Sequence, residues 1–387
     1  MDAAGGGPEL LEAGPQPPSP AARRRRLLLV VAAVLLLTVL GVGTLLQRER
    51  VAAELPVPSP AARSSRPLPT PLPVSSTRRP QPDDPVVLRR SGPGVPGAGS
   101  GELFLRSVDT VYRIDLASGR VTSTRAGLGT SGPVSFLALP AAVVLRPLDL
   151  LPGLRVPDDR PALELQGRLR RASSVLPATQ GRLWITARAD RDRSTAVLVT
   201  ADGTPVRSLG ENGSFVADGS GGLLLVDTGG VWERRQARWH RITTGSVLAV
   251  GPHHYLLSTC GIGHDCTTVR YDRRTHRSTH VPAERLQLFG GGGLLSPDGR
   301  YAASMTYSED GSSIAELVDL TSGHVVTELE EPNASADITS LAVWSADGRR
   351  LVVLNAGRLV VVDPATGQRT EPDLGLSDLL GLTLRTP

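Results

Sequence analysis

Ser296-Pro297-Asp298-Gly299-Arg300-Tyr301 and, 49 residues further on, Ser345-Ala346-Asp347-Gly348-Arg349-Arg350 share one pattern: a serine, an Asp-Gly turn, a cation, then an apolar strand. Asp-Gly between apolar runs signals a hairpin, because Gly supplies the positive φ and Asp accepts backbone N–H bonds inside the turn. A second turn recurs around this one. Asp115-Leu116-Ala117-Ser118-Gly119, Asp319-Leu320-Thr321-Ser322-Gly323 and Asp363-Pro364-Ala365-Thr366-Gly367 share the form D-x-x-[ST]-G, and Asp272-Arg273-Arg274-Thr275-His276 is the same with His in place of Gly. Each follows a short apolar run, and no long stretch of period 3.6 with helix caps interrupts them. The intervals between these turns are 157, 47 and 44 residues. A quarter of the first is about 39, so the spacing predicts a unit of about 40 residues repeated round an all-β domain. Weaker copies partly fill the gap: Val197 to Gly203, and Val231-Trp232 facing Trp239 across a tight turn. Three prolines, Pro152, Pro157 and Pro161, obscure the remaining one.

The S-P-D-G-R and S-A-D-G-R stretches resemble the hairpin between the first two strands of a blade in TolB-like and WD-repeat β-propellers. Gly181-Arg182-Leu183-Trp184-Ile185 is similar to the G-x-L-W strand of other propellers. The resemblance is good over residues 290–370 and rests on rhythm alone over 101–290; the WD dipeptide is absent. It implies an all-β, seven-bladed β-propeller over residues 101–387, averaging about 41 residues a blade, with six or eight blades possible. Leu380 to Leu384 is one strand more than the last unit needs, while the first unit, Glu102 to Thr124, holds only three. The C-terminal strand is therefore expected to complete the first blade.

The chain ahead of this domain differs in composition. Leu27 to Leu46 is 20 residues without a charge, nine of them Leu. As a helix it spans about 30 Å, the thickness of a bilayer's hydrocarbon core. Arg23 to Arg26 abut its start, which predicts a cytoplasmic tail at 1–26, a transmembrane signal anchor at 27–46 and a C-terminal bulk outside the cell membrane. The apolar run exceeds the ~7–15 residues of a cleaved signal peptide, and Arg48-Glu49-Arg50 lies beyond it. Residues 47–100 carry the proline-rich stretch Pro67-Leu68-Pro69-Thr70-Pro71-Leu72-Pro73 and read as an extracytoplasmic linker. All 42 basic residues are Arg, and Ile is scarce, which points to a GC-rich bacterial genome of actinobacterial type. Residues 101–387 carry 30 Arg against 31 acidic residues, so electrostatics gives nucleic acid no support as a partner there.

Motifs for chemistry are sparse. The sialidase repeat, the nucleophile elbow and the phosphate loop are all missing. Gly290 to Gly293 precedes a hairpin, not a helix, and reads as a link between blades. Six of the seven histidines lie between 240 and 280, with Cys260 and Cys266 among them. Zinc motifs need short paired spacings, and His253, His254, His264 and His276 do not provide one, so no metal or cofactor is expected. The pairs Asp158-Asp159 and Glu330-Glu331 sit beside prolines in linking segments and read as solvated. Cys260 and Cys266 flank Gly261-Ile262-Gly263-His264-Asp265 between two apolar strands. Facing residues of a hairpin bring Cα atoms about 4.5–5.5 Å apart, so a disulfide is expected outside the cell, with the five-residue loop as a contact site.

The reading of function from these features is a membrane-tethered propeller that is not an enzyme. It is expected to bind or scaffold a protein or cell-envelope ligand, with the membrane itself engaged through 27–46. The alternative is a propeller hydrolase or lyase acting on envelope glycans or peptides.

Overall fold

The two Asp-Gly turns are built alike. Ser296 Oγ donates to Asp298 Oδ1 at 2.5 Å, which also accepts the Arg300 N–H at 3.0 Å, while Ser296 Oγ accepts the Tyr301 N–H at 2.9 Å. Ser345, Asp347, Arg349 and Arg350 repeat those bonds at 2.6, 3.1 and 3.0 Å. Gly299 and Gly348 lie at φ 71° and 69°, where a Cβ is strained. The D-x-x-[ST]-G turns form a second set. Asp115 Oδ1 accepts the Ala117 and Ser118 N–H groups, and Asp272, Asp319 and Asp363 accept from residues two positions on. The fifth position is left-handed in all four, Gly119, His276, Gly323 and Gly367. The Ser118 backbone N–H is the chief cause that holds the Asp115 carboxyl below its ordinary value.

These turns sit inside strand meanders. The computed structural model describes residues 84–148, 151–188, 193–260, 266–282, 292–307, 313–329 and 338–386. The first sheet holds β1 (Val86–Arg89), β2 (Glu102–Arg106), β3 (Thr110–Asp115) and β4 (Val121–Arg125). The second meander is β5 (Val134–Leu139), β6 (Ala142–Pro147), β7 (Leu154–Pro157) and β8 (Leu163–Glu164). The third is β9 (Ser174–Pro177), β10 (Leu183–Arg188), β11 (Arg193–Val199) and β12 (Pro205–Asn212). The fourth is β13 (Ser214–Ala217), β14 (Leu223–Asp227), β15 (Gly230–Arg235) and β16 (Arg238–Thr243). The fifth is β17 (Val247–Val250), β18 (His254–Cys260), β19 (Cys266–Asp272) and β20 (Arg277–His280). The sixth is β21 (Gly293–Leu295), β22 (Tyr301–Tyr307), β23 (Ser313–Asp319) and β24 (His324–Leu329). The seventh is β25 (Ala342–Trp344), β26 (Leu351–Asn355), β27 (Arg358–Val362) and β28 (Arg369–Thr370), and the chain ends with β29 (Gly381–Arg385). Only single-turn helices, Gly167–Arg170 and Ile338–Leu341, are present among the described residues.

Pairing is antiparallel inside each meander. The fifth and sixth merge into one sheet through a parallel β17–β21 contact, Ala249 opposite Gly293. The first sheet runs β1-β4-β3-β2-β29, so the C-terminal strand pairs with β2, Glu102 opposite Arg385 and Leu105 opposite Leu382. The S-x-D-G-R turns join first to second strands, and the D-x-x-[ST]-G turns join third to fourth. This division of labour explains why each has its own sequence form: the turn fixes which pair of strands it can connect.

The core follows the same order. Among the described residues, seven clusters of buried aliphatic and aromatic residues lie each between consecutive meanders, for example Phe136 and Val143 with Phe104, or Leu317 with Trp344 and Val360. The cluster of Leu103, Leu105 and Ile114 takes Val352, Leu359 and Val361 from the seventh meander, with Leu382 of β29. A meander with two apolar faces cannot bury both alone, so each depends on both of its neighbours.

Strand structure begins before the expected boundary at Gly101. Val86-Val87-Leu88 is apolar and free of proline, so it can pair with the open edge of β4, Val87 opposite Thr122. Val95 and Ala98 are buried beside Leu103. The linker reading of 47–100 is corrected at its C-terminal end. The cytoplasmic tail, the 27–46 anchor and the rest of the linker lie outside the described residues, as does the 261–265 loop. Among the described residues no helix is long and apolar enough to cross a membrane.

Candidate functional site

Glu102 opens β2, and the antiparallel register puts Arg385 of β29 directly opposite it. Arg385 donates through Nε to Glu102 Oε2 at 2.6 Å and through Nη2 to Asp158 Oδ2 at 2.7 Å. Its Nη1 reaches Asp158 Oδ1 at 3.2 Å and the Leu139 carbonyl at 2.6 Å, while its guanidinium lies 4.8 Å from the Phe104 ring. Arg113 of β3 closes the square. It donates through Nε to Glu102 Oε1 at 2.6 Å and comes within 3.5 Å of Asp158 Oδ2. Two carboxylates and two guanidiniums therefore alternate where the first and second meanders meet. Arg385 is 11% exposed and Arg113 34%, so one cation is structural ballast and the other meets solvent. Burial pulls the Arg385 guanidinium down, and the hydrogen bonds and charges of Asp158 and Glu102 outweigh it, leaving it above its ordinary value.

Glu102, Arg113 and Asp158 of the square form one wall of a cavity of about 530 Å³, with Asp84, Val87, Arg120 and Thr122 on the other sides. A second cavity of about 730 Å³ shares Glu102 and Asp115 with it and adds Leu139, Pro140, Pro177, Arg182, Leu384 and Arg385. The arrangement offers acceptors and a guanidinium at one end and apolar contacts at the other. That combination suits a polar ligand with an apolar part.

The sequence reading missed this site. Asp158-Asp159 was expected to be solvated; Asp159 is so, its side chain 76% exposed, but Asp158 turns into the square. Glu102 and Arg385 stand 283 positions apart and so leave no local pattern. Glu330-Glu331 lies outside the described residues.

The histidine-rich region is organised differently. Arg273, donating to Asp218 Oδ2 at 2.7 Å and to Glu233 Oε1 at 3.4 Å, ties the fourth meander to the fifth. Tyr255 OH donates to Glu233 Oε1 at 3.2 Å, Arg235 bonds Glu233 and Tyr271, and Tyr271 OH meets His276 Nδ1 at 3.1 Å. Burial is the main cause that pushes the Tyr255 and Tyr271 hydroxyls upward. His254 packs against Gly299 instead, its Nδ1 buried without a hydrogen-bond partner among the described residues. Among the described residues no three metal-ligating side chains cluster. Cys260 and Cys266 are disulfide-bonded, opposite each other across β18 and β19.

No family model matches the chain, and no curated protein matches it. Solved structures do. TolB from Acinetobacter baumannii is 13% identical over 75% of this chain and 68% of its own, at a TM-score of 0.42. The periplasmic gluconolactonase of Pseudomonas aeruginosa is 16% identical over 74% and 99%, at 0.42. An acylaminoacyl peptidase of Pyrococcus horikoshii is 11% identical over 68% and 47%, at 0.43. The described residues are all-β apart from two single-turn helices, with propeller-like structures among those the chain resembles. The expectation that it is not an enzyme is corrected here: the solved structures that the chain resembles include a lactonase and a peptidase.

Proposed function

We propose that the chain is a seven-bladed β-propeller closed by β29, held outside the cell by the 27–46 anchor, and that it acts as a hydrolase or lyase on an envelope glycan or peptide at the Glu102–Asp158 cavity. The carrying observation is the convergence of both carboxylates with Arg113 on one cavity wall. Seven meanders, seven shared core clusters and the β29–β2 pair support the closed ring. Carboxylates already surrounded by guanidinium N–H donors act as acceptors. They suit taking a proton from a water or from a carbon beside a carboxylate, with Arg113 holding the anion that forms. Arg385, bonded to both carboxylates, serves as a positioning residue for them.

A second reading, a binding or scaffolding module for an envelope ligand or protein, has its own support. The first strands of the meanders, with β29 serving the first, carry a single ionisable side chain among them, Arg385. The full chain, incubated with cell-wall glycan and peptide fragments and followed by mass spectrometry, separates the two. Cleavage that falls about 100-fold or more in Glu102→Gln and Asp158→Asn supports the first reading. Saturable binding without products supports the second, and neither binding nor cleavage refutes the assignment of the cavity.

A further inference from the structure

Half-buried arginines such as Arg113, Arg235 and Arg273 bond to carboxylates, and Arg146 and Arg270 bond to backbone carbonyls. Arg155 and Arg182 differ. Both are half-buried, and neither side chain forms a hydrogen bond or ion pair among the described residues; Arg155 Nε is shielded from water as well. A shielded guanidinium without an acceptor is costly, and arginine does not escape the cost by losing its proton. Both arginines line one cavity of about 300 Å³, together with Leu139, Pro140, Ala142 and Thr200, and among the described residues no carboxylate lines it. The nearby Asp202 is occupied, accepting from the Thr200 hydroxyl and from the Thr204 N–H at 3.1 Å. β7 sets Arg155 opposite Val144, which packs with Val175 and Leu183 of the third meander. Arg182 follows a left-handed pair, Gln180 and Gly181, and donates its backbone N–H to the Thr179 carbonyl at 3.2 Å. A Cβ at Gly181 would lie 2.7 Å from Pro140, so glycine lets this turn close on the second meander. We propose that Arg155 and Arg182 bind the free C-terminal carboxylate of a peptide.

The walls select that ligand. A planar carboxylate matches the guanidinium fork, and it sheds less water than a phosphate dianion on entering a cavity with aliphatic walls. Among the described residues no aromatic ring lines this cavity or the other two, so a sugar ring finds no flat face to stack on, while short aliphatic side chains suit the end of a peptide. The 730 Å³ cavity shares Leu139, Pro140 and Arg182 with this one and Glu102 with the first. The peptide's carboxylate takes the cationic end, and the residues before it run towards Glu102 and Asp158. That direction rests on the reading of the Glu102–Asp158 cavity as a site for an envelope ligand; the carboxylate subsite itself does not.

Isothermal titration of the full chain in detergent tests this with N-acetyl-tri-alanine, its C-terminal amide, tetragalacturonate and inorganic phosphate. The free acid should bind about tenfold more tightly than the amide. Arg155→Gln and Arg182→Gln should each remove that preference, while Arg277→Gln on the exposed β20 should keep it. Thermal unfolding checks that each variant is folded, and the comparison of acid with amide in the unaltered chain needs no variant. A preference that stands in the absence of any cleavage supports the subsite and counts against the hydrolase reading alone. Equal binding of acid and amide, binding of neither, a preference indifferent to both arginine variants, or tighter binding of tetragalacturonate or phosphate overturns the proposal.

Discussion

Arg385→Ala removes the side chain that ties the C-terminal strand to Glu102 of the first meander and to Asp158 of the second. Breaking a buried ion pair by deleting one partner costs about 3–5 kcal/mol, because the other charge stays behind. Two features of this site reduce that figure. Glu102 and Asp158 keep 18% and 20% of their side-chain surface exposed, so water recovers part of the loss. Arg113 remains bonded to Glu102 and within 3.5 Å of Asp158. The Leu139 carbonyl loses its donor and Phe104 its stacked cation, which add back about 1 kcal/mol. The expected net cost is about 2–3 kcal/mol, a fall of about 4–8 °C in Tm for a domain of this size. Thermal and urea unfolding of Arg385→Ala, Asp158→Asn and the double variant would measure it. The pair should show a coupling of about 1 kcal/mol or more. A shift below about 1 °C, or strict additivity, would refute the reasoning that β29 is locked through this square.

Two further outcomes follow from groups elsewhere. Burial is the largest cause that depresses His254, aided by Arg270, so the folded chain keeps its imidazole neutral while the unfolded chain takes up a proton near 6.5. The unfolded state then binds more protons, and stability should fall as pH drops below 6.5. His254→Gln should flatten the Tm profile between pH 5 and 7; an unchanged slope would place the titration elsewhere, and Asp115, Asp319 and Asp347, held low, titrate below that window. Alkylation of the native chain without reductant should leave Cys260 and Cys266 unmodified, and reduction should cost about 2 kcal/mol, the chain-entropy value for so short a loop. Two freely alkylated thiols would reject the bridge.

What the sequence determined by itself is local. Ser296 with Asp298, Ser345 with Asp347, and Asp115 with Ser118 close their hydrogen bonds within five residues, so the pattern that makes each turn is complete in the stretch that contains it. Repetition of those turns was enough to mark an all-β chain of about 40-residue units, and the Cys260–Cys266 spacing was enough for a bridge across one hairpin. The start of strand structure at Val86 was not legible, because β1 exists only where β4 leaves an edge for it. Nor was the cavity. Glu102, Arg113, Asp158 and Arg385 belong to three segments that meet only when β29 returns to β2, and each alone looks like an ordinary surface charge. Their role depends on distances that long-range pairing sets, and no composition or spacing along the chain encodes such a distance.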